Sequence, residues 1–206
     1  WTVVSALELG VPVPTIYASL NARVMSSLKE QRKDVEELLS FEVDCEFDFG
    51  NISNSMKPLF DAVVLSTIAS YAQGMDILKE ASTTYNYDLN MPSIAQIWKG
   101  GCIIRSKLLK RIQDAYQKDP NLKNLIFDSW FNNQISNKIN NLSYVVSAAS
   151  KASIPVPCLS STLDYLNSYR THRLPQNLVQ AMRDCFGSHT YERLDKAGSF
   201  HTEWID

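Results

Sequence analysis

What this sequence lacks narrows its reading first. No long run of Lys and Arg occurs, and 20 basic residues stand against 22 acidic ones for a formal net charge of −2. The electrostatic footprint of a nucleic-acid binder is therefore missing. An anionic small molecule stays open, because a few Arg can converge in space without showing in the total. The four cysteines, Cys45, Cys102, Cys158 and Cys185, are scattered with no CxxC pair. That spacing excludes a zinc-type site and a small disulfide scaffold, and it reads as free thiols in a reducing compartment. No apolar stretch reaches the roughly 18 residues needed to cross a bilayer, and no signal-peptide pattern is present, so no membrane partner is expected. Asn-Gly and Asp-Gly hairpin turns are absent, as is strand alternation of useful length. No GxGxxG follows a strand, so these residues hold no dinucleotide-binding domain. The first residue is Trp1 rather than Met, which leads us to expect that the sequence starts inside a longer one.

What is present is helical. The 206 residues are 45% apolar and 20% charged, the balance of an ordinary globular chain long enough to bury a core. Ile16, Leu20, Val24 and Leu28 recur at four-residue steps and predict a buried helix face. Leu59, Phe60, Val63, Val64, Ile68, Ala72 and Met75 make a longer stripe. Ile103, Ile104, Leu108, Leu109 and Ile112 make a third, and Leu142, Val145, Val146 and Ala149 a fourth. Pro12, Pro14, Pro92, Pro155, Pro157 and Pro175 stand where helices begin or break. Asn90, ahead of Met91 and Pro92, reads as an N-cap, and Gly100-Gly101 as a helix end. The expectation is an all-α, multi-helix domain over residues 1–185, followed by an irregular tail over 186–206. That tail carries Tyr191, Phe200 and Trp204, so it should dock on its own domain or on a partner chain. From about Leu38 to Ser55, Glu42, Asp44, Glu46 and Asp48 alternate with aromatics in what reads as an acidic surface excursion. An internal repeat is also visible. Gly10-Val11-Pro12-Val13-Pro14 and Ser153-Ile154-Pro155-Val156-Pro157 each lead into a helical stripe, which suggests a duplicated helical unit.

Longer motifs carry a family resemblance. Trp1-Thr2 with Ser5-Ala6-Leu7-Glu8-Leu9-Gly10-Val11-Pro12 opens it, followed by Ala22-Arg23, Ser26-Ser27-Leu28-Lys29 and Ser70-Tyr71-Ala72-Gln73-Gly74. Ile97-Trp98-Lys99-Gly100-Gly101-Cys102-Ile103-Ile104-Arg105-Ser106, Ser168-Tyr169-Arg170 and Gln180-Ala181-Met182-Arg183-Asp184-Cys185-Phe186-Gly187-Ser188-His189-Thr190-Tyr191-Glu192 come next. Phe200-His201-Thr202-Glu203-Trp204 closes it. In that order, over nearly the whole chain, these motifs resemble the C-terminal helical domain of the 6-phosphogluconate dehydrogenase family. Met182 and Cys185 depart from it, standing where the family often has Gln and Tyr. The stretch around Asp44 has no good counterpart.

The resemblance implies the C-terminal part of an NADP-dependent oxidative decarboxylase that converts 6-phosphogluconate to ribulose 5-phosphate and CO2. Hydride leaves C3, and the resulting β-keto acid loses CO2. The family's catalytic Lys and Glu lie upstream of Trp1, so no catalytic residue is expected in this chain, which alone should be inactive. The same likeness places Arg23, Arg183 and His189 at the substrate phosphate, the last two contributed by the other subunit of a homodimer with interlocked tails. Read without the family, Arg23 is a solvated charge and His189 a partner for a helix end. A guanidinium fork and a protonated imidazole do suit a phosphate dianion. NADP would be held mainly by the upstream domain. The expected location is the cytosol, with a plastid as the alternative. Two other readings are a related β-hydroxyacid dehydrogenase domain and a non-catalytic helical dimerisation module.

Overall fold

The structure, a computed structural model, describes residues 1–39 and 52–204, with side chains of the second stretch from Met56 onward. Most of the acidic excursion around Asp44 lies outside the described residues. The helices are α1 (Thr2–Glu8), α2 (Pro14–Ser27), α3 (Lys29–Leu38), α4 (Ile52–Tyr85), α5 (Met91–Ile97), α6 (Leu108–Lys118), α7 (Ser129–Lys151), α8 (Pro157–Arg170) and α9 (Asn177–Gly187). A 3-10 turn covers Leu125–Phe127, and two strands of two residues, β1 (Tyr191–Glu192) and β2 (Ser199–Phe200), pair antiparallel. The all-α expectation holds, and the one small strand pair falls in the segment read as an irregular tail. No helix among the described residues is long and apolar enough to cross a membrane. The chain forms two compact units, residues 1–166 and 167–206.

The first unit is organised on α4, whose 34 residues span about 50 Å at 1.5 Å per residue. Its Ala62, Leu65, Ala69 and Ala72 recur at three- and four-residue steps, with Ile68 and Met75 beside them, and all six are buried. Phe131 and Leu142 of α7, Leu109, Ile112 and Tyr116 of α6, Met91 of α5, Leu125 of the 3-10 turn and Tyr165 and Leu166 of α8 join this core. The alanines allow close helix approach, while the larger residues each contribute about 1.5–3 kcal/mol by leaving water. Asn90 caps α5 as expected, its Oδ1 accepting from Ser93 N at 2.9 Å. Gly101 takes φ +68° in the connection after α5, a conformation that glycine reaches without steric cost. The third stripe is shorter than the sequence suggests. Ile103 and Ile104 precede α6, and Ile103 is fully exposed, because the turn after Gly101 breaks the helical period.

The first stripe also needs correction. Leu20 and Val24 of α2 are 44% and 52% exposed, and only the start of the helix is covered. Phe60 and Val63, early in α4, are likewise exposed at 66% and 52%. These apolar faces are real, but none of the described residues covers them.

The repeat is present in the backbone. α2 and α8 are both 14 residues long, both begin at a proline, and start 143 residues apart. Ahead of each stands the same helix-ending corner. Val11 N donates to Ala6 O at 2.8 Å and Ile154 N to Ala149 O at 2.8 Å. Gly10 N donates to Leu7 O at 3.2 Å and Ser153 N to Ser150 O at 3.1 Å. The left-handed residue is Gly10 at φ +68° in one copy and Ser153 at φ +55° in the other. A left-handed residue followed by a bond from its successor back to the helix is the usual device for stopping a helix and turning the chain. The prolines then remove a donor that a helix start leaves unused.

Candidate functional site

Arg23 lies near the C-terminal end of α2. The start of this helix is tied down by Gln73 of α4, a fully buried side chain. Gln73 Oε1 accepts from Thr15 N at 3.1 Å and Ile16 N at 3.3 Å, and its Nε2 donates to Thr15 Oγ1 at 3.0 Å. Two of the orphan donors at the helix start are thus satisfied from another element. Arg23 itself is exposed, next to exposed Val24, so it does not border a face buried within this chain. Among the described residues its guanidinium has no hydrogen-bond or ion-pair partner.

Arg183 and His189 belong to the second unit and come together at the end of α9. Both are exposed. Arg183 Nη1 donates to Gln180 Oε1 at 3.2 Å, one turn back. The helix ends at Ser188, which is left-handed at φ +48° and whose N–H donates to Asp184 O at 2.9 Å. His189 N then reaches back to Arg183 O at 3.4 Å. The two expected anion-binding side chains therefore share one backbone turn.

That turn is held by a residue the sequence reading passed over. Asp184 is wholly buried, and both its oxygens are saturated. Oδ1 accepts from Thr190 N at 3.0 Å and from His201 Nδ1 at 2.9 Å. Oδ2 accepts from Thr202 N at 3.0 Å and Trp204 Nε1 at 2.8 Å. Burial alone would push this carboxyl up, but the bonds from His201, Thr202 and Trp204 outweigh it and hold it at about 2. The His201 imidazole is pushed up in turn, first by that hydrogen bond. A further hydroxyl bond, between Tyr191 and Thr202 at 2.6 Å, and the guanidinium of Arg193 5.4 Å from the centre of the Phe200 ring fasten the strand pair. Asp184 stands inside the run that carries Arg183, yet its partners lie 6 to 20 residues downstream in irregular chain, where no period reports them.

The first unit also holds a largely apolar cavity of about 1150 Å3. Tyr71, Trp98, Arg105 and Cys158 are among its walls. Trp98 packs against the main core. Arg23, in the same unit, does not line this cavity.

Known proteins agree on what this arrangement belongs to. The family model described as 6-phosphogluconate dehydrogenase, C-terminal domain, matches residues 1–204. A Synechococcus elongatus protein named 6-phosphogluconate dehydrogenase, decarboxylating, is 48% identical over 205 residues, covering all of this chain and 43% of the relative. A chloroplastic 6-phosphogluconate dehydrogenase of Oryza sativa is 46% identical over 99% of this chain and 41% of its own length. The solved Plasmodium falciparum 6-phosphogluconate dehydrogenase superposes with a TM-score of 0.90 at 41% identity, covering 99% of this chain and 44% of that one. The chain thus spans less than half the length of these relatives, and over that span it belongs to the 6-phosphogluconate dehydrogenase family.

Proposed function

We propose that this chain supplies the substrate-phosphate contacts and the dimer surface of an NADP-dependent, decarboxylating 6-phosphogluconate dehydrogenase. Arg183 and His189, exposed and joined through one turn at the end of α9, carry this reading. They carry a guanidinium fork and an imidazole on one backbone turn, the donor set that a phosphate ester takes. Arg23 completes the set from a second copy of the chain, and the exposed apolar residues of α2 and α4 form the surface on which the copies meet. The tail over residues 186–206 docks on the partner subunit. The solved Plasmodium falciparum relative is described in complex with NADP+ and with 6-phosphogluconate, which supports both ligands.

NADP+ would accept the hydride. No residue of this chain is assigned to it, because the described strands are two residues long and form no strand–loop–helix cradle. The contribution of these residues is to hold the far end of the sugar acid, so that binding energy there is spent on orienting the reacting carbon. The working location is the cytosol or, by likeness to the rice relative, a plastid.

Full-length Arg183→Ala and His189→Ala enzymes test the phosphate reading. Each should raise the KM for 6-phosphogluconate tenfold or more, since a charge-assisted hydrogen bond contributes about 1.5–3 kcal/mol. Unchanged substrate kinetics in both would overturn the assignment. Light scattering tests the pairing. A dimer that dissociates when the chain is cut after Asp184 supports tail exchange, and a mass unaffected by the cut counts against it.

A further inference from the structure

The turn that carries His189 is unfavourable on its own. Ser188 and Thr190, on either side of it, are both left-handed, at φ +48° and +60°. A β-branched residue rarely takes that conformation, and it persists only where its surroundings impose it. At Thr190 the imposing groups are two side chains one helical turn apart on α9. Asp184 Oδ1 accepts the Thr190 N–H at 3.0 Å, and Gln180 Nε2 donates to the Thr190 carbonyl oxygen. Both backbone polar groups of Thr190 are therefore gripped from one helix face. The other end of the Gln180 amide accepts from Arg183 Nη1 at 3.2 Å. One amide thus ties the Arg183 guanidinium to the turn that presents His189. Gly187 adds a steric element. A Cβ there would lie 2.8 Å from His189 Cδ2 and 3.0 Å from Nε2, so the imidazole rests in the space that glycine leaves.

We infer that Gln180 is a positioning residue, which with Asp184 clamps Thr190 and thereby sets the separation of Arg183 and His189 for a phosphate ester. Gly187 acts with it by leaving room for the imidazole. The inference rests on the reading of Arg183 and His189 as phosphate contacts. Phosphate is larger than a carboxylate and takes donors from several directions, so recognition depends on the spacing of the two side chains as well as on their charge. A loosened clamp leaves both groups present but misplaced.

The test is a mutant cycle in the full-length enzyme, read through KM and kcat separately. Gln180→Ala should raise the KM for 6-phosphogluconate about tenfold while leaving the KM for NADP+ and the dimer mass unchanged. In an Arg183→Ala/His189→Ala background the same substitution should change the KM less than twofold, because the groups it positions are gone. Gly187→Ala, which leaves the clamp bonds alone and only crowds the imidazole, should raise the KM in the presence of His189 and have no effect in its absence. It therefore serves if Gln180→Ala does not assemble. Equal effects in both backgrounds, or an unchanged KM in the single variants, would overturn the clamp while Arg183 and His189 kept their role. If Arg183→Ala and His189→Ala themselves leave the KM unchanged, it is the underlying phosphate reading that fails.

Discussion

Asp76 of the first compact unit, half-buried, and Asp184 of the second are shifted in opposite directions, while a third carboxylate, buried Asp61 on α4, is lowered like Asp184, first by its hydrogen bond from Lys57. Asp76, on α4, is pushed up to about 6 by burial, which the hydrogen bond from Asn124 Nδ2 and the charge of Lys79 only partly offset. Its Oδ1 is buried without a hydrogen-bond partner among the described residues, as is the hydroxyl of Tyr116. Asp184 is at least as well hidden, yet it sits at about 2, because four donors converge on its two oxygens. Loss of water is common to both. The number of donors waiting inside decides which form the protein prefers. Asp76 is an acidic group the first unit accommodates at a cost. Asp184 is the group around which the second unit is assembled, in place of the apolar core that holds the first.

The most disruptive way to probe this contrast is Asp184→Asn. An amide nitrogen cannot accept, so at least one oxygen's pair of donors is left buried and unmatched. Hydrogen exchange should show residues 190–204 losing protection as a block while α4 and α7 keep theirs. Retained protection in the tail would show that the strand pair, not the carboxylate, holds it. In the wild-type protein the same region should respond at both ends of the pH scale. The Asp184 pKa is lowered in the fold, so its contribution is present above the ordinary carboxylate range and is lost as pH falls toward about 2. The His201 pKa is raised, so its contribution is present below the ordinary imidazole value of 6.5 and is lost as pH rises through the higher folded value. Tail protection should be greatest between about pH 4 and 6.5.

Asp76→Asn should act in the reverse sense. A raised carboxyl pKa means that stability is greatest below 3.8 and falls as pH rises through about 6. A shift of this size corresponds to about 2–3 kcal/mol, so the variant should be more stable than wild type by about that amount at pH 8 and no more stable at pH 4. Thermal denaturation at the two pH values checks it, and a variant destabilised at both would show that the carboxylate has an unrecognised partner. The smallest effect belongs to Tyr116→Phe, which removes a buried hydroxyl with no partner among the described residues and should stabilise by about 1 kcal/mol in the same measurement.

The apolar periods of α4 and α7, the Asn90 cap and the proline-started corners could all be read from the chain, because each is a local rule acting over a few residues. The stripe of Leu20 and Val24 was equally legible as apolar, but periodicity reports that a face is greasy and not what covers it. Arg183 and His189 were found through a motif, and their sharing of a turn follows from the helix end at Ser188. Gln180 and Asp184 were invisible as a pair. An i, i+4 spacing of Gln and Asp is ordinary on a helix surface, and nothing local says that both side chains turn toward the backbone of Thr190. Pro58 stands inside α4, an interior proline that a long, otherwise well-packed helix carries near its start.

The repeated corner has a consequence for how this chain tolerates change. The same backbone bend is built once on glycine, at Gly10, and once on serine, at Ser153, and the second copy forgoes about 1 kcal/mol in adopting a left-handed conformation. The two corners thus show two residue types on which such a bend can be built. At residue 153 the hydrogen bonds from Ser153 N and Ile154 N to the carbonyls of the preceding helix hold the strained conformation in place. An engineer seeking a sturdier chain could place glycine at residue 153.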